Sequence, residues 1–170
     1  KVWEDANNQD GIRPQEITVK LLGSDGSERI IKLNEKNNWI HTFENLYSNI
    51  SGKAIEYKAV EEEVTGYTTT VKESEEGFVI TNKHTPETVN MPVTKLWNDA
   101  ENQDGLRPDS VDIVLTGSDG NTYKAIIRKS DNWTYMFKGL PKYYDNGALV
   151  QYSLQESEPE GYTGISSIFR

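Results

Sequence analysis

The sequence predicts an all-β protein made of two tandem domains, each an antiparallel β-sandwich. Three observations support this fold class. The sequence of residues 1–14 is repeated with few changes at residues 95–108, about 94 residues later. Short stretches of alternating apolar and polar residues are separated by Gly, Asp and Ser turn signals. No window has a sustained helical period with caps. The repeat is much longer than the roughly 20–50 residues of solenoid units, so whole domains are duplicated.

The first predicted hairpin of each copy has a clear signature. Apolar residues alternate with polar ones along its first strand, and the second copy repeats them: Ile17, Val19 and Leu21, then Val111, Ile113 and Leu115. Gly23–Gly26 and Gly117–Gly120 follow as turns, because Asp-Gly and Ser-Gly pairs adopt positive φ at little cost. The returning strands are predicted at 29–33 and 123–128.

The later strands are also matched between the copies. One face of the next predicted strand is formed by Trp39, His41 and Phe43, with Trp133, Tyr135 and Phe137 as counterparts. Tyr57–Glu61 and Tyr152–Glu156 form another pair of strands, and Gly77–Asn82 closes the first copy. About seven short strands per copy is typical of a sandwich.

These elements give the domain boundaries. We expect a first domain over residues 1–84, a short linker over 85–92 and a second domain over 93–170, whose last strand is incomplete. Pro86 and Pro92 restrict the backbone of the linker. Both copies are large enough to bury a core of their own.

Composition excludes several function classes. The net charge of −9 argues against nucleic acid or anionic lipid as a partner. Cysteine is absent, which excludes disulfides and cysteine metal sites. No apolar run is long enough for membrane insertion. The acidic loop Asp5–Gly11 could suggest calcium, but its glycine falls one place late for an EF-hand loop and no helices flank it. We therefore predict no metal and no cofactor.

Three polar residues of the first copy are predicted to point inward. Lys1 shares a face with Trp3, and Glu61 shares one with Tyr57 and Ala59. Asn82 lies on the face of Phe78 and Ile80 in the closing strand. Burial disfavours the charged forms of an amine and a carboxyl group, so an uncharged lysine beside a protonated glutamic acid is expected there.

Such a trio can form a covalent bond. A neutral amine is a nucleophile and a carboxamide is an electrophile with a poor leaving group. A protonated glutamic acid can polarise the amide carbonyl and deliver a proton to the departing nitrogen. Contact between the three groups compensates for low intrinsic reactivity. The product would be a Lys–Asn amide cross-link, formed once, with loss of ammonia.

The combined motifs resemble the Cna B-type domain. They are the Lys-x-Trp start, the Asn/Gln-Asp-Gly-x-Arg-Pro loop, Asn-Trp followed by Phe, Tyr-x-x-x-Glu, Gly-Tyr-Thr and the closing Ile-Thr-Asn. This resemblance implies an inverse immunoglobulin-like sandwich in the stalk of a Gram-positive surface adhesin or pilin, extracellular and anchored to the cell wall. It also implies an intramolecular isopeptide bond, with Lys1 as amine, Asn82 as amide and Glu61 as proton shuttle.

The second copy departs from this pattern. Lys95 matches Lys1 and Glu156 matches Glu61, but the chain contains no Ile-Thr-Asn after Glu156. No residue stands at the position of Asn82, so we predict no bond in the second copy.

Alternative readings stay open at this point. The implied partners are neighbouring repeats and a head domain of the same parent, with host extracellular matrix bound through that head. A binding module could instead recognise a host protein or glycan through the loops Asp5–Gly11 and Asp99–Gly105. A hydrolase has no supporting constellation. More simply, Lys1 could be a solvated terminal residue and Glu61 an edge-strand charge, while the tryptophans fill the cores or, less simply, stack on carbohydrate.

Overall fold

The fold was obtained as a computed structural model, which describes residues 1–164 and 167–169. The chain divides into two compact units, residues 1–85 (domain 1) and 86–170 (domain 2). Helical structure in the described residues is limited to two 3₁₀ turns, Glu35–Asn37 and Lys129–Asp131. The predicted all-β fold class is confirmed.

Domain 1 contains eight strands: β1 Val2–Glu4, β2 Glu16–Gly23, β3 Glu28–Asn34, β4 Asn49–Ile50, β5 Lys53–Ala54, β6 Tyr57–Glu61, β7 Thr68–Ser74 and β8 Gly77–Lys83. They form a β1-β8-β7 sheet, a β3-β2-β6 sheet and a short β4-β5 ribbon. The β1–β8 pair is parallel, whereas the other strand pairs of this domain are antiparallel. The first and last strands therefore lie side by side, although they are far apart in sequence.

The two sheets of domain 1 enclose a small core. Ile17, Val19 and Leu33 from the β3-β2-β6 sheet pack with Ile80 from β8, and all four are buried. These residues follow the period of two that the sequence shows, because alternate side chains of a strand face the same side. Each such burial contributes roughly 1.5–3 kcal/mol of hydrophobic stabilisation. Trp3 and Trp39 pack against the edge of this core.

Domain 2 contains eight described strands: β9 Thr88–Thr94, β10 Ser110–Gly117, β11 Thr122–Arg128, β12 Thr134–Pro141, β13 Tyr143–Tyr144, β14 Ala148–Leu149, β15 Tyr152–Glu156 and β16 Ser167–Phe169. They form a β11-β10-β15-β16 sheet, a β12-β9 pair and a β13-β14 ribbon. Ile113, Leu115 and Ile127 of one sheet pack with Val93 and Phe137 of the β12-β9 pair.

One predicted strand forms in only one domain. Residues 40–44 of domain 1 are not a strand, whereas their counterparts in domain 2 belong to β12. β12 is held by antiparallel pairing with β9, for example Tyr135 with Val93. Among the described residues no strand pairs with the segment 40–44, so its backbone has no neighbouring strand to complete a ladder of hydrogen bonds.

The prediction that Trp39 and Trp133 belong to strands is wrong, because both lie in turns. Each follows an asparagine and a 3₁₀ turn, and both tryptophans are in the left-handed region, with φ of 58°. A bulky residue is rare in that conformation. Here it reverses the chain and directs the indole onto the core, where Trp39 meets the Trp3 ring edge-on at 5.1 Å between centroids.

The predicted linker 85–92 is shorter in the structure. Residues 88–92 belong to β9 and pair with β12, so only Thr85–Glu87 remains outside the flanking strands. Pro92 fits within a strand because β9 has a neighbour on one side only in this two-stranded pair. Within the described ranges, no helix has the length and apolar character needed to cross a membrane.

Candidate functional site: a buried lysine, glutamate and asparagine

The parallel pairing of β1 with β8 positions two of the three predicted site residues. Trp3 pairs with Asn82 in this ladder. Paired residues of neighbouring strands point to the same face of a sheet, as do residues two apart along one strand. Lys1, Trp3 and Asn82 therefore share the inner face of the β1-β8-β7 sheet.

Glu61 reaches this face from the opposite sheet. It ends β6 and pairs with Val19, whose side chain is buried in the core. Lys1 Nζ donates a hydrogen bond to Glu61 Oε1 at 2.6 Å, and both side chains are fully shielded from solvent. The structure thus places Lys1 and Glu61 in contact inside domain 1.

The surroundings of Lys1 favour its uncharged form. Burial lowers the pKa of the Lys1 side chain, while the hydrogen bond and charge of Glu61 act in the opposite direction. Lys1 Nζ also lies 4.5 Å from the centre of the Trp3 ring. The main-chain nitrogen of Lys1 is fixed by donating to the Trp39 carbonyl oxygen at 3.1 Å. The amine is therefore held in place and disfavoured as a cation.

Asn82 is unusual because its buried amide has no hydrogen bond. Its exposed fraction is 0%, and neither the side-chain nitrogen nor the oxygen has a hydrogen-bonding partner among the residues that the structure describes. Buried amides are nearly always paired, and leaving one unpaired costs about 1–3 kcal/mol per group. A buried, unpaired carboxamide on the same sheet face as the Lys1 amine needs an explanation other than stability.

Domain 2 repeats the lysine–glutamate contact. Lys95 Nζ donates to Glu156 Oε1 at 2.8 Å, and each side chain is 15% exposed. The Lys95 main-chain nitrogen donates to the Trp133 carbonyl at 2.8 Å, as Lys1 does to Trp39. In the described residues no strand corresponding to β8 follows, and β16 pairs with β15 instead. Lys95 and Glu156, the two predicted site residues of domain 2, are therefore in contact, and the described residues place no asparagine at the position of Asn82.

The acidic loop is stabilised by a neighbouring arginine. Arg13 donates through Nε and Nη2 to both carboxylate oxygens of Asp5, at 2.9 and 2.6 Å, and Tyr67 donates to the same carboxylate at 2.9 Å. Asp5 also accepts from the Asn8 backbone. Burial by itself would raise the pKa of Asp5, but these donors lower it to about 2. Asp99, Arg107 and Tyr162 make the same contacts in domain 2.

Sequence reasoning missed this arrangement. It interpreted the loop as a turn whose side chains bond their own backbone, which holds for Asp5 with Asn8 but omits Arg13 and Tyr67. A signal was present, because Asp and Arg recur 8 residues apart in both copies and a Gly-Tyr pair follows in each. The described residues contain no group of three or more His, Asp or Glu side chains arranged to hold a metal ion.

Two further contacts at the site were also not predicted. Thr69 donates its hydroxyl hydrogen to Glu61 Oε2 at 2.8 Å. His84 lies between two acceptors, with Nε2 2.8 Å from Asp10 Oδ2 and Nδ1 2.9 Å from the Gly66 carbonyl oxygen. The hydrogen bond to Asp10 raises the pKa of His84, although burial opposes the shift. Neither contact is visible in a single-strand pattern, because each joins distant segments.

Comparison with known proteins agrees with the geometry. The Cna protein B-type domain family matches residues 1–83 and again residues 91–168. A collagen adhesin of Staphylococcus aureus is 43% identical over 169 residues, covering 96% of this chain. This chain spans 14% of the length of that adhesin.

Solved structures add the tandem arrangement. The crystal structure of two B repeat units, B1B2, of the S. aureus collagen binding protein matches with a TM-score of 0.85 and 40% identity, covering 94% of this chain and 43% of that one. A single B1 unit of the same protein is 38% identical, with a TM-score of 0.44, covering 95% of this chain and 85% of that one. The chain belongs to the Cna protein B-type domain family and carries two such domains in tandem.

Proposed function

We propose that domain 1 cross-links itself through an isopeptide bond between Lys1 and Asn82, with Glu61 as the catalytic acid and base. One observation supports the proposal: a fully shielded lysine–glutamate pair, with 2.6 Å between Nζ and Oε1, whose lysine shares a sheet face with the unpaired Asn82 amide. Such a set of groups contributes nothing obvious to stability, because an ion pair and a polar amide are both costly to bury.

The reaction follows from the positions of the protons. Transfer of one proton from Lys1 Nζ to Glu61 gives a neutral amine and a neutral acid, which burial favours. The Nζ lone pair attacks Cγ of Asn82 while Glu61 hydrogen-bonds the amide oxygen. The Cγ–Nδ2 bond then breaks, and Glu61 relays a proton from Nζ to the departing nitrogen. One amide bond forms and the Cγ–Nδ2 bond is lost with ammonia. Glu61 keeps the proton that it first took from Lys1 until that proton leaves with the ammonia as ammonium, which returns Glu61 to the carboxylate. Lys1 and Asn82 are consumed, so there is no turnover.

The cross-link would join the first strand of the sheet to the last. Because β1 and β8 are neighbours, the bond would prevent their separation under load or during proteolysis. In domain 2, no asparagine among the described residues lies at the position of Asn82, so no bond to Lys95 is expected in these 170 residues.

A mechanically stable repeat suits a stalk. We propose that the two domains are spacer repeats of a cell-wall-anchored, extracellular adhesin of a Gram-positive bacterium. Neighbouring repeats and a head domain of the same parent are their partners, and the head contacts host extracellular matrix. The support is the collagen adhesin match, in which the relative is far longer than this chain. A ligand-binding role for the repeated loops is less favoured, because the Asp5 and Asp99 carboxylates are already engaged by arginines.

Intact mass spectrometry of the folded 170-residue chain tests the cross-link. We expect a mass about 17 Da below that of the unmodified chain, and not about 34 Da, because one ammonia is lost per bond. A branched fragment joining the Lys1 and Asn82 peptides should identify the bond. Glu61→Gln should restore the full mass, whereas the matched variant Glu156→Gln should still show the loss. A wild-type chain of unmodified mass would contradict the proposal.

A further inference from the structure

Both carboxylate oxygens of Glu61 are engaged, and by different strands. Oε1 accepts from Lys1 Nζ at 2.6 Å, and Oε2 accepts from the Thr69 hydroxyl at 2.8 Å. The Thr69 contact comes from β7, which follows Glu61 after a short turn. The carboxyl group is therefore held at two points, one of which is not part of the lysine–glutamate–asparagine set.

The position of Thr69 is linked to that of Asn82. The two residues are directly paired in the antiparallel β7–β8 ladder, so their side chains point to the same face. Thr69 itself is exposed, yet the Glu61 side chain beneath it is fully shielded. One residue thus donates to the carboxyl group and is paired with Asn82, which carries the reacting amide.

We propose that Thr69 is a positioning residue for the cross-linking reaction. The inference rests on the function proposed above and adds a fourth participant to it. The carboxyl group of Glu61 must serve the amine and the amide in turn. A carboxyl group bonded only at Oε1 can rotate about its terminal torsion, which is broad and shallow. The hydroxyl at Oε2 fixes that torsion, so the acid remains oriented while its proton moves.

Domain 2 provides a natural comparison. The motif Gly66-Tyr67-Thr68-Thr69 corresponds there to Gly161-Tyr162-Thr163-Gly164. A Cβ atom built on Gly164 would lie 2.7 Å from Glu156 Oε1, so this position also faces the carboxylate. Glycine has no hydroxyl to offer. Domain 1, which has the lysine, the glutamate and the asparagine, also has the threonine, whereas domain 2 has Gly164 at the threonine position.

The test follows the rate of cross-linking rather than its end point. The full chain is made by cell-free translation, and samples are stopped in acid and denaturant at successive times. Intact mass then gives the fraction that is lighter by about 17 Da. Thr69→Val keeps the β-branched shape and removes the hydroxyl, and Thr69→Ser restores a hydroxyl without the branch. Thr70→Val is the matched control, because Thr70 lies on the other face of β7 and pairs with Thr81.

We expect Thr69→Val to slow the loss of ammonia by about tenfold or more, the size of one hydrogen bond to a charged group. Thr69→Ser should react at close to the wild-type rate, and Thr70→Val should not differ from wild type. Tryptophan fluorescence of each variant reports folding, since Trp3 and Trp39 pack at the core. Thr69 is exposed on an edge strand, so we expect the variants to fold. If Thr69→Val does not fold, Thr69→Ala serves as a second variant without the hydroxyl.

Each other outcome overturns the inference in a recognisable way. Equal rates for wild type and Thr69→Val would support the cross-link but show that Thr69 has no part in forming it. A serine variant as slow as the valine variant would show that shape, not the hydroxyl, matters. A wild-type chain that never loses ammonia would remove both the cross-link and the positioning role.

Discussion

Both domains contain the same lysine–glutamate pair, but the two pairs differ in solvent exposure. In domain 1 both side chains are fully shielded, whereas in domain 2 each is 15% exposed, although the contact distances are 2.6 and 2.8 Å. The ion pair therefore does not need the closing strand. It is positioned by the strand that ends in the glutamate and by the carbonyl of the tryptophan that anchors the lysine main chain. The closing strand adds shielding and the amide, which are the two requirements of the proposed chemistry.

At the edge formed by β9 and β12, domain 2 is the more completely paired and buried of the two domains. Domain 2 has β9, which pairs with β12 and buries Phe137 to 5% exposure. In the part of domain 1 that the structure describes, no strand pairs with residues 40–44, and the matching Phe43 is only partly buried, against His41. A strand pattern in the sequence becomes a strand only where another strand completes its hydrogen bonds.

The largest expected effect is the loss of the cross-link itself. Asn82→Ala removes the amide, so domain 1 should lose about 4–5 kcal/mol of unfolding free energy, by analogy with a covalent loop of about 80 residues. Urea unfolding checks this, with domain 2 as internal reference. In a Glu61→Gln background, which is already unlinked, the same substitution should cost no more than about 1 kcal/mol. Equal losses in both backgrounds would show that Asn82 acts by packing.

A smaller effect is expected at the acidic loop. Arg13→Ala leaves the buried carboxylate of Asp5 without its main partner and should cost about 3 kcal/mol. Arg107→Ala in domain 2 should cost less, because Asp99 is more exposed than Asp5, with 11% of its side chain accessible against 0%. Urea unfolding of the two variants gives the comparison. An equal loss in both domains would contradict this dependence on burial.

The pH dependence of the unfolding free energy at acid pH gives a second test of the same loop. The folded-state pKa of Asp5 is about 2, below the ordinary value. Its contribution is therefore present above about pH 4 and is lost as the pH falls towards 2. Arg13→Ala should weaken this pH dependence in domain 1.

The smallest effect concerns His84, and it belongs to domain 1 alone because both histidines of the chain, His41 and His84, lie there. Both ring nitrogens of His84 face acceptors, so the cation is favoured and its pKa is raised. A raised pKa gives a contribution that is complete below about pH 6.5 and is lost as the pH rises through the higher folded-state value. We expect domain 1 to lose about 1–2 kcal/mol between pH 5 and pH 8.

The control for this prediction is His84→Gln, which should remove the pH dependence from domain 1. The groups facing His84 are Asp10, with Asp5 and Tyr67 nearby. Unfolding midpoints of domain 1 that do not change between the two pH values would contradict the assignment.

Local periodicity made much of this protein readable from its sequence. Alternation along single strands predicted β2, β6 and β8 and placed Lys1, Glu61 and Asn82 on inward faces, because the side-chain period of a strand is a local property. The duplication supplied an independent check on each strand. The same reasoning failed at residues 39–43, since an isolated strand pattern does not reveal whether a partner strand exists.

Only the tertiary structure decided which inward residues meet. Thr69 reaches Glu61, Asp10 reaches His84 and Asp5 meets Arg13 and Tyr67 through loops and sheet stacking. These contacts join residues that are 8 to 74 positions apart. The sequence by itself determined which side chains share a strand face. Which faces come together depended on the packing of two sheets, because hydrogen bonds form between neighbours in space whatever their separation along the chain.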